Sequence, residues 1–437
     1  MELKNNNTGQ KRIAFYTLGC KLNFAETASI FRQMTDKGYR KVAFSDEADY
    51  YVINTCSVTQ TADKKCRNAI KKAVSNGGKI IVMGCYSQLK PDEIAKIEGV
   101  DLILGTKEKY KLADYIEELD RNENRMIRTC DVHSIDQFDG AFSTTDRTRA
   151  FLKIQDGCDY YCSYCTVPLA RGKSRNEDIK AILKKADIIA QQGIKEIVIT
   201  GVNIGDFGKS TGENFFNLIK ELDQVEGIER FRISSVEPNL LTDEIIEFIA
   251  HSKKIVPHFH IPLQSGNNKI LGLMGRRYKR ELFEQRVIKI HNILPDACIG
   301  VDVIVGFPGE SDDDFNDTYQ LLQKLNISYL HVFPFSERPN TRAIDLSDKV
   351  SATEKAKRTR SLIALSQEKR NLFYKKNLGK EVDVLFELNI TKGKIVGFSN
   401  NYIKAETQVE KDVIGKIKRV KLESILNNGN VGSTLIN

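Results

Sequence analysis

The segment FLKIQDGCDYYCSYC occupies residues 151–165, and the rest of the chain can be interpreted outward from it. Its apolar start, Phe151 to Ile154, is typical of a buried strand. Cys158, Cys162 and Cys165 then follow within eight residues. Three thiolates this close together can converge on one metal centre. Zinc is the main competitor, but a structural zinc site takes four protein ligands and no fourth Cys or His follows at finger spacing, so the loop favours an iron–sulfur cluster.

Six apolar runs beginning near Ala150 alternate with helical segments, which predicts an incomplete (β/α)6 barrel over residues 146–378. The cysteine loop follows the first run, and the chemistry of such barrels lies on loops at the carboxyl ends of their strands. The acidic run SDDDF could be interpreted as a metal site. Ser311, followed three residues later by Asp314, instead favours a charged helix start. The six runs are FLKI, EIVIT, RFRIS, HFHIP, IGVDVIV and YLHVF.

The sequence on either side of this region has two further patterns. In residues 1–145, short apolar runs alternate with amphipathic stretches, which predicts a doubly wound α/β domain with a parallel sheet. Residues 379–437 contain short strand patterns punctuated by glycine, as expected of a small β-barrel. The strands predicted in the first domain are Ile13–Leu18, Tyr50–Ile53 and Ile80–Met83, and its predicted helices are Ala25–Lys37 and Thr61–Ser75.

Length and composition agree with several globular domains. A chain of 437 residues is long enough for two to four domains of ~150 residues each. The contents of 41% hydrophobic and 28% charged residues exclude a collagen-like, disulfide-scaffold or largely disordered chain. No apolar run approaches the ~20 residues of a membrane helix, and the start, MELKNNNTGQKR, lacks a secretory signal, so we expect a cytoplasmic protein. Its nine cysteines are then better interpreted as metal ligands or reactive thiols than as disulfides.

A second set of cysteines follows the strands predicted in the first domain. Cys20 ends YTLGC, Cys56 ends VINTC and Cys85 ends VMGC, each two or three residues beyond a strand. Ligands gather at the carboxyl ends of strands in a doubly wound sheet, so these thiols can converge and hold a second cluster. The alternative for each is a small buried apolar side chain. The other cysteines lack this placement and are interpreted as structural or incidental; they are Cys66, Cys130 and Cys298.

The Cys-x3-Cys-x2-Cys loop, placed on the first strand of a six-unit barrel, resembles that of the radical S-adenosylmethionine enzymes. The resemblance implies a 4Fe–4S cluster on Cys158, Cys162 and Cys165, with one iron left open by the protein. That iron would bind the amino and carboxyl groups of S-adenosylmethionine, donate an electron and cleave it to a 5′-deoxyadenosyl radical. The cofactor then performs the difficult chemistry while the protein positions and shields it.

With both cysteine trios in view, nearly the whole chain resembles the radical methylthiotransferases. This family carries a second 4Fe–4S cluster, here implied on Cys20, Cys56 and Cys85, that delivers a methylated sulfur. One S-adenosylmethionine provides the methyl group and another generates the radical. The motifs that carry the resemblance are TLGCKLNFAET, VINTCSVT, TGVNIGDFG, SSVEP, HIPLQSGNNKILGLMGRRY, VDVIVGFPGES and FSERPNTRA, together with the three-cysteine loop.

The first motif separates subgroups of this family. TLGCKLNFAET is similar to the tRNA N6-threonylcarbamoyladenosine methylthiotransferases, whereas the isopentenyladenosine enzymes tend to have Gln-Met-Asn and the ribosomal-protein enzymes Pro-Lys-Asn after the same cysteine. This resemblance implies methylthiolation at C2 of N6-threonylcarbamoyladenosine beside the tRNA anticodon. Two alternatives stay open: a ribosomal-protein aspartate methylthiotransferase, and a non-enzymatic RNA-binding iron–sulfur protein that senses redox state.

Residues after the next barrel strands are candidates for cofactor binding. Asn203, Gly205 and Asp206 lie in TGVNIGDFG after the second strand, where the alternative is a glycine-rich turn. Glu237 in SSVEP follows the third strand and is also placed to cap a helix, because Pro238 comes next. On the fourth strand, HIPLQSG offers His260 and Gln264 to line the cavity, and the alternative for His260 is a core histidine whose hydrogen bonds are satisfied.

An RNA partner is predicted from charge. The chain carries 66 Lys and Arg against 58 Asp and Glu, and most of the surplus lies in residues 351–380. The last domain resembles the small RNA-binding barrel (TRAM-like) of RNA-modifying enzymes, and with the basic segment it can track a phosphate backbone. A solvated basic face is the alternative. We expect tRNA as partner and a flavodoxin- or ferredoxin-like electron donor. The candidate RNA contacts are Arg171, Lys173, Arg175, Lys357, Arg358 and Arg360, with Phe398 and Tyr402 for base stacking. For the three that follow the cluster loop in LARGKSRN, the alternatives are neutralisation of the cluster's negative charge and a solvated basic loop.

Overall fold

The computed structural model describes residues 9–122, 124–144, 148–410 and 413–436. The chain forms two compact units. The first comprises Met1–Ser143 with Asp156–Asp159 and Cys165–Lys173, and the second comprises Thr144–Gln155, Tyr160–Tyr164 and Ser174–Asn437. The boundary predicted between residues 145 and 146 lies outside the described residues, and the division into three domains stays a prediction.

The first unit is built on a six-stranded parallel sheet in the order β2-β1-β3-β4-β5-β6. All six residues of β3 are buried, as expected of a central strand covered on both faces. The strand order reverses beside β1, where neighbouring crossovers leave a crevice at the carboxyl ends. The elements are β1 (Arg12–Thr17), α1 (Lys21–Asp36), β2 (Arg40–Val42), β3 (Tyr50–Thr55), α2 (Gln60–Val74), β4 (Lys79–Gly84), α3 (Cys85–Leu89), α4 (Pro91–Ala95), β5 (Leu102–Leu104), α5 (Leu112–Arg121), β6 (Met126–Arg128), β7 (Ala141–Phe142) and α6 (Val167–Arg171).

The second unit begins with six strands, and each of the six predicted apolar runs forms one of them. Parallel pairing joins β8 to β9 and β9 to β10, and likewise β11 to β12 and β12 to β13. An isolated bridge between Ser235 and His260 links the two sets, which makes the predicted incomplete barrel. Its elements are β8 (Arg149–Lys153), α7 (Ile179–Gln191), β9 (Glu196–Thr200), α8 (Phe215–Leu222), β10 (Arg230–Ile233), α9 (Asp243–His251), β11 (His258–Gln264), α10 (Asn268–Leu273), α11 (Arg280–Ile293), β12 (Cys298–Val305), α12 (Asp312–Lys324), β13 (Tyr329–Pro334) and α13 (Ala352–Asn377).

The predicted small β-barrel ends the second unit. Five strands close in the order β14-β15-β16-β18-β17 around buried residues that include Val384, Phe386 and Val420. Arg232 of β10 holds this barrel to the larger one, because its guanidinium donates to the carbonyls of Ser399 and Asn400 at 3.1 and 3.0 Å. The strands are β14 (Glu381–Thr391), β15 (Lys394–Ser399), β16 (Lys404–Gln408), β17 (Ile417–Ile425) and β18 (Val431–Leu435).

The helix start predicted at Ser311 is confirmed. The Ser311 hydroxyl accepts from the backbone N–H of Asp314, whose carboxylate accepts in return from the backbone of Ser311. Within the part of the chain that the structure describes, no helix is long and apolar enough to cross a membrane.

Candidate functional site

Cys20, Cys56 and Cys85 lie at the ends of three adjacent strands of the first unit. Cys20 is the N-cap of α1 after β1, Cys56 follows β3 directly, and Cys85 begins α3 after β4. Thr17 pairs with Asn54 and Thr55 pairs with Gly84 in the parallel register, so the chain leaves the sheet at one level on all three strands. Adjacent strands are ~4.8 Å apart, so the three thiols share one edge of the sheet.

Glycines allow the strand ends to approach this closely. Gly19 has a φ of +104°, and a Cβ built on it would lie 2.7 Å from Cβ and 3.1 Å from Sγ of Cys56. Gly84 also has a φ of +104°, and its Cβ would lie 2.6 Å from Oδ1 of Asn54. A side chain at either position would be strained by the backbone and would enter the space beside the thiols. The glycine before Cys20 and the glycine before Cys85 are therefore part of the site.

The three thiols also influence one another electrostatically. Burial raises the pKa of the Cys56 thiol to about 12, and Cys85 and Cys20 add to the rise. Cys20 lies at an accessible edge, yet the protein around it raises the pKa of its thiol by desolvation, while Arg171 lowers that pKa and Cys85 raises it further. Thiols that resist ionisation alone release their protons when a metal centre binds. Three such donors fit a cluster that leaves one iron without a protein ligand.

Asn23 and Arg171 form a hydrogen-bond network next to this trio of cysteines. The Asn23 amide donates to the carbonyls of Leu18 and Thr55 at 2.7 and 3.1 Å, which joins the ends of β1 and β3. Its Oδ1 accepts from Nη2 of Arg171 at 2.8 Å, and the Cys20 thiol donates to the same oxygen at 3.9 Å. Asn23 is the residue of the KLN motif that faces the thiols, and sequence reasoning had not assigned it a role.

Arg171 is an internal cation, which corrects its predicted contact with RNA. Its side chain is 3% exposed, and Nη1 lies 2.9 Å from Glu26 and 3.0 Å from Asp156. Lys109 Nζ lies 2.5 Å from the other oxygen of Glu26. Although burial opposes it, Cys85, Glu26 and Asp156 hold the pKa of Arg171 well above its ordinary value. The guanidinium therefore acts inside the first unit and cannot reach a phosphate in solvent.

In the second unit, Arg276 contacts the middle cysteine of the other trio. Nη1 of Arg276 donates to Sγ of Cys162 at 3.2 Å and to the Tyr164 hydroxyl at 3.4 Å. The backbone beside Cys162 is fixed as well, because the N–H of Ser163 donates to the carbonyl of Met274 at 2.9 Å. In the first unit, the N–H of Cys158 donates to the carbonyl of Gly172 at 3.1 Å. Arg276 is a site residue that the sequence did not reveal.

Glu237 forms a short ion pair with Nη2 of Arg276. Burial raises the pKa of the Glu237 carboxyl, and Arg276 opposes that rise. The alternative of a helix cap is wrong, because α9 begins at Asp243 and is capped by the side chain of Thr242. A carboxylate and a guanidinium side by side, next to Cys162, match the ammonium and carboxylate of an amino acid.

The TGVNIGDFG loop places Asn203 and Asp206 inside the second unit, 4% and 2% exposed. Nδ2 of Asn203 donates to Oδ2 of Asp206 at 2.9 Å, and the Asn203 N–H donates to Oε1 of Gln155 at 2.8 Å. A Cβ on Gly205 would lie 2.6 Å from Cβ of Leu240, so close packing explains that glycine. The loop is thus a closely packed turn with internal hydrogen bonds, and cofactor binding by Asn203, Gly205 and Asp206 stays a prediction.

The motif HIPLQSG lies mostly in β11. Its residues His260 and Gln264 have different conformations and contacts. Gln264 has a φ of +64° where the pairing with β12 is irregular, an uncommon conformation for a residue with a side chain. His260 Nε2 lies 2.8 Å from Oδ1 of Asp302, a pairing that agrees with the alternative of a hydrogen-bonded histidine, and its place in the lining of a cavity stays a prediction.

The basic residues predicted to contact RNA divide into exposed and buried ones. Lys173, Lys357 and Arg360 are exposed, whereas Arg175 is buried. Arg358 corrects its prediction: it is 4% exposed, and its guanidinium lies 2.7 Å from Glu310 and 2.7 Å from Asp312. Arg358 therefore fixes α13 to the loop before α12 and is held away from a nucleic acid.

Phe398 and Tyr402 are packed within the second unit, which corrects their predicted stacking on bases. Their rings stack on each other at 4.8 Å, and Tyr402 stacks on His258 at 4.3 Å. The guanidinium of Arg149 lies 4.8 Å from the Phe398 ring centre, and that of Arg232 lies 5.0 Å from Tyr402. These aromatic faces join the small barrel to the larger one.

Comparisons with known proteins cover the segments that carry the two cysteine trios. Residues 12–105 match the family described as Uncharacterized protein family UPF0004, and residues 152–322 match the Radical SAM superfamily. The chain is 41% identical over 423 residues to threonylcarbamoyladenosine tRNA methylthiotransferase MtaB of Bacillus subtilis, covering 94% of this chain and 93% of that one. It is also 41% identical to the protein of that name from Aquifex aeolicus, covering 94% and 99%. The radical S-adenosylmethionine methyltransferase TsrM from Kitasatospora setae, 14% identical, has a similar fold with a TM-score of 0.57 over 77% of this chain and 74% of that one.

Proposed function

Because this chain belongs to the family of threonylcarbamoyladenosine tRNA methylthiotransferases, we propose that it adds a methylthio group to C2 of N6-threonylcarbamoyladenosine beside the tRNA anticodon. It is a radical S-adenosylmethionine enzyme, and its cofactors are S-adenosylmethionine and 4Fe–4S clusters. The observation that carries the proposal is the placement of Cys20, Cys56 and Cys85 at one sheet edge, in a chain whose relatives match it almost end to end.

The two cysteine trios would hold one cluster each. Cys158, Cys162 and Cys165 are proposed as ligands of the cluster that works with S-adenosylmethionine, and Cys20, Cys56 and Cys85 as ligands of the auxiliary cluster. When bound, these groups supply a radical able to remove hydrogen from an unactivated carbon, and the sulfur to be transferred. The protein's own task is to hold three thiolates at each site, leave one position open, and keep water away.

Glu237 and Arg276 are proposed to bind the amino-acid end of S-adenosylmethionine. The carboxylate of Glu237 suits the ammonium group and the guanidinium of Arg276 suits the carboxylate, each by a charge-assisted hydrogen bond. Arg276 also contacts Sγ of Cys162, so a bound amino acid would lie beside this cysteine. Asn203, Gly205, Asp206 and Gln264 stay proposed as walls of the same cofactor site.

Arg171 is proposed to place a fixed positive charge beside the auxiliary trio. Its guanidinium contacts Asn23, which in turn contacts Cys20, and it lowers the pKa of the Cys20 thiol against the effect of burial. A positive charge favours the thiolate form that binds iron. Its carboxylate partners hold it in place, so no solvent-exposed cation has to be ordered when the cluster forms.

The exposed basic residues are proposed as tRNA contacts. Lys357 has a 67% exposed side chain, and Arg360 is exposed one helical turn further along α13. Lys173 is exposed after the cluster loop. These positions suit phosphate neutralisation, and base contacts have to come from other residues. We place the enzyme in the cytoplasm, with a flavodoxin- or ferredoxin-like protein as electron donor.

The test separates the two trios. Anaerobically reconstituted protein is incubated with S-adenosylmethionine, a reductant and tRNA, and both 5′-deoxyadenosine and methylthiolated nucleosides are measured. Replacing Cys158, Cys162 and Cys165 by Ala is expected to abolish both products. Replacing Cys20, Cys56 and Cys85 is expected to spare 5′-deoxyadenosine and abolish methylthiolation.

The substrate is tested in cells. Nucleosides of tRNA from a strain without this protein are analysed by mass spectrometry, before and after the wild-type gene is restored. Loss and return of 2-methylthio-N6-threonylcarbamoyladenosine is the expected result. A modified ribosomal protein with unchanged tRNA would instead support a protein substrate, and absence of 5′-deoxyadenosine in vitro would support a redox sensor.

A further inference from the structure

His260, Asp302 and His331 form a cluster on three neighbouring strands of the second unit. They lie on β11, β12 and β13, and each offers one nitrogen or oxygen atom within 4.8 Å of the others. Nε2 of His260 and Oδ1 of Asp302 are 2.8 Å apart. Asp302 and His331 are direct partners in the parallel register, so their side chains leave the same face of the sheet. None of these residues belongs to either cysteine trio.

The strands hold the cluster in a defined arrangement. The rings of His260 and His331 are stacked with centres 5.3 Å apart and planes 19° apart. The Tyr329 ring packs edge-on against both, at 6.4 Å from His260 and 5.1 Å from His331. Gly300 makes room for this tyrosine, because a Cβ there would collide with the Tyr329 ring. The Tyr329 ring thus packs against both imidazoles and helps to fix their positions.

The carboxylate of Asp302 differs from those of Glu237 and Asp206 in the partners that it faces. Glu237 is paired with Arg276, and Asp206 lies 2.8 Å from Nζ of Lys209. Asp302 faces two imidazoles, which carry a positive charge only when they are protonated. The site is also reachable, because the side chains of His260 and Asp302 are 16% and 22% exposed and His331 is exposed. A cation from solvent can therefore reach the carboxylate.

We propose that His260, Asp302 and His331 bind a divalent transition-metal ion such as Zn²⁺ or Fe²⁺, with its remaining coordination positions open. Two imidazoles and one carboxylate are a donor set for these ions. Ligand bonds of ~2.0–2.2 Å separate neighbouring donor atoms by about 3 Å, which His260 and Asp302 already satisfy. A hydrogen bond between His260 and Asp302 alone would not involve His331. The proposed metal site uses His331 as a third ligand. The proposal does not rest on the proposed function.

The first test measures Zn²⁺ binding by anaerobic isothermal titration calorimetry. It uses the full protein with both clusters assembled and its iron content determined beforehand. One equivalent of Zn²⁺ is expected to bind to the wild type. His331→Ala and Asp302→Asn are each expected to weaken binding more than the ~100-fold that changes around a metal site can cause. His251→Ala is the matched control, because this histidine lies on α9 and contacts the Glu247 carbonyl. The affinity of this variant for Zn²⁺ is expected to equal that of the wild type.

A second measurement needs no variant. Co²⁺ is bound to the wild type with oxidised, diamagnetic clusters, and electron spin echo envelope modulation is recorded. Modulation from two imidazole nitrogens is expected. Absence of stoichiometric Zn²⁺ binding, binding that survives His331→Ala unchanged, or a Co²⁺ spectrum with sulfur ligands or without two imidazoles would each overturn the proposal. In that case His260 and Asp302 are a hydrogen-bonded pair only.

Discussion

Arg276 donates a hydrogen bond to the sulfur of Cys162 across 3.2 Å, although the two residues are 114 positions apart in the chain. The same guanidinium is paired with Glu237. One side chain therefore contacts both a proposed cluster ligand and the carboxylate proposed to bind the ammonium group of S-adenosylmethionine.

Arg276→Gln is expected to weaken binding of S-adenosylmethionine. Loss of a charged hydrogen bond, with Glu237 left buried without its cation, costs roughly 1.5–3 kcal/mol, or about 10- to 150-fold in affinity. Binding is measured by equilibrium dialysis with the reconstituted protein. Arg286→Gln removes the surface pair with Asp243 and serves as the control. Equal affinity in Arg276→Gln and wild type would exclude Arg276 from the cofactor site.

Gly19→Ala is expected to lose the auxiliary cluster and keep the other one. The added Cβ would lie 2.7 Å from Cβ of Cys56, and the positive φ adds strain. Iron content after reconstitution should fall by about half, while 5′-deoxyadenosine is still produced. Gly38→Ala is the control, because Gly38 also has a positive φ, +88°, but a Cβ there meets nothing within 4 Å. If both variants lose iron equally, backbone strain and not the approach of the thiols is responsible.

Arg171→Gln is expected to destabilise the apoprotein strongly. It leaves Glu26 and Asp156 buried with too little positive charge, and breaking a buried pair costs roughly 3–5 kcal/mol. Arg67→Gln removes a pair with Glu93 whose side chains are 38% and 39% exposed, and should change the free energy of unfolding by less than about 1 kcal/mol. Urea unfolding of the first unit, followed by hydrogen exchange, compares the two variants. Similar losses would mean that Arg171 is not an internal structural cation.

Stability of the small barrel is expected to fall in acid because of Glu406. Hydrogen bonds from Asn430 and Lys394 lower the pKa of this carboxyl from 4.5 to about 2. A lowered folded-state pKa gives stability that is present above the unfolded value and lost as the pH falls from about 4.5 to 2. The loss should be about 2–3 kcal/mol, since Lys394 is half exposed. Glu406→Gln should remove this pH dependence from hydrogen exchange in β16, whereas the exposed Glu381→Gln should retain it.

Lys357→Ala and Arg360→Ala are expected to weaken tRNA binding and to make its affinity less dependent on salt concentration. Each lost phosphate contact should reduce the slope of log affinity against log salt by roughly 0.7–0.9. The neighbouring Arg358→Gln should leave the slope unchanged and lower the stability of α13, because its partners are Glu310 and Asp312. Filter binding across salt concentrations measures the slopes. A reduced slope in Arg358→Gln with normal stability would reverse the assignment.

Local patterns could be predicted from the sequence, because they depend on neighbours in the chain. Each strand predicted in the first domain and in the incomplete barrel formed within a few residues of its expected bounds, since continuous apolar runs mark strands covered on both faces. The strand-end positions of Cys20, Cys56 and Cys85 followed from the same rule. Ser311 and Asp314 behaved likewise, because a helix cap is a contact between residues three apart.

Contacts between distant segments could not be predicted, and they decide which charges are buried. Arg358 appeared to be one of the nine basic residues of segment 351–380, yet it is buried and paired with Glu310, 48 residues earlier. Arg171 is captured by Glu26, 145 residues away. Phe398 and Tyr402 meet cations and a histidine from the larger barrel, which left them unavailable for RNA.

The first unit is not a continuous piece of chain, and this limits how the protein can be divided. A fragment ending at Ser143 would lack residues 165–173, so Glu26 would lose the Arg171 guanidinium and the Thr106 hydroxyl would lose the carbonyl of Ala170. Chimeras with a relative, or co-expression of two halves, would have to keep Asp156–Asp159 and Cys165–Lys173 matched to the amino-terminal part, and Tyr160–Tyr164 matched to the second unit. A single cut after Ser143 would therefore remove from the first unit side-chain contacts that its amino-terminal part depends on.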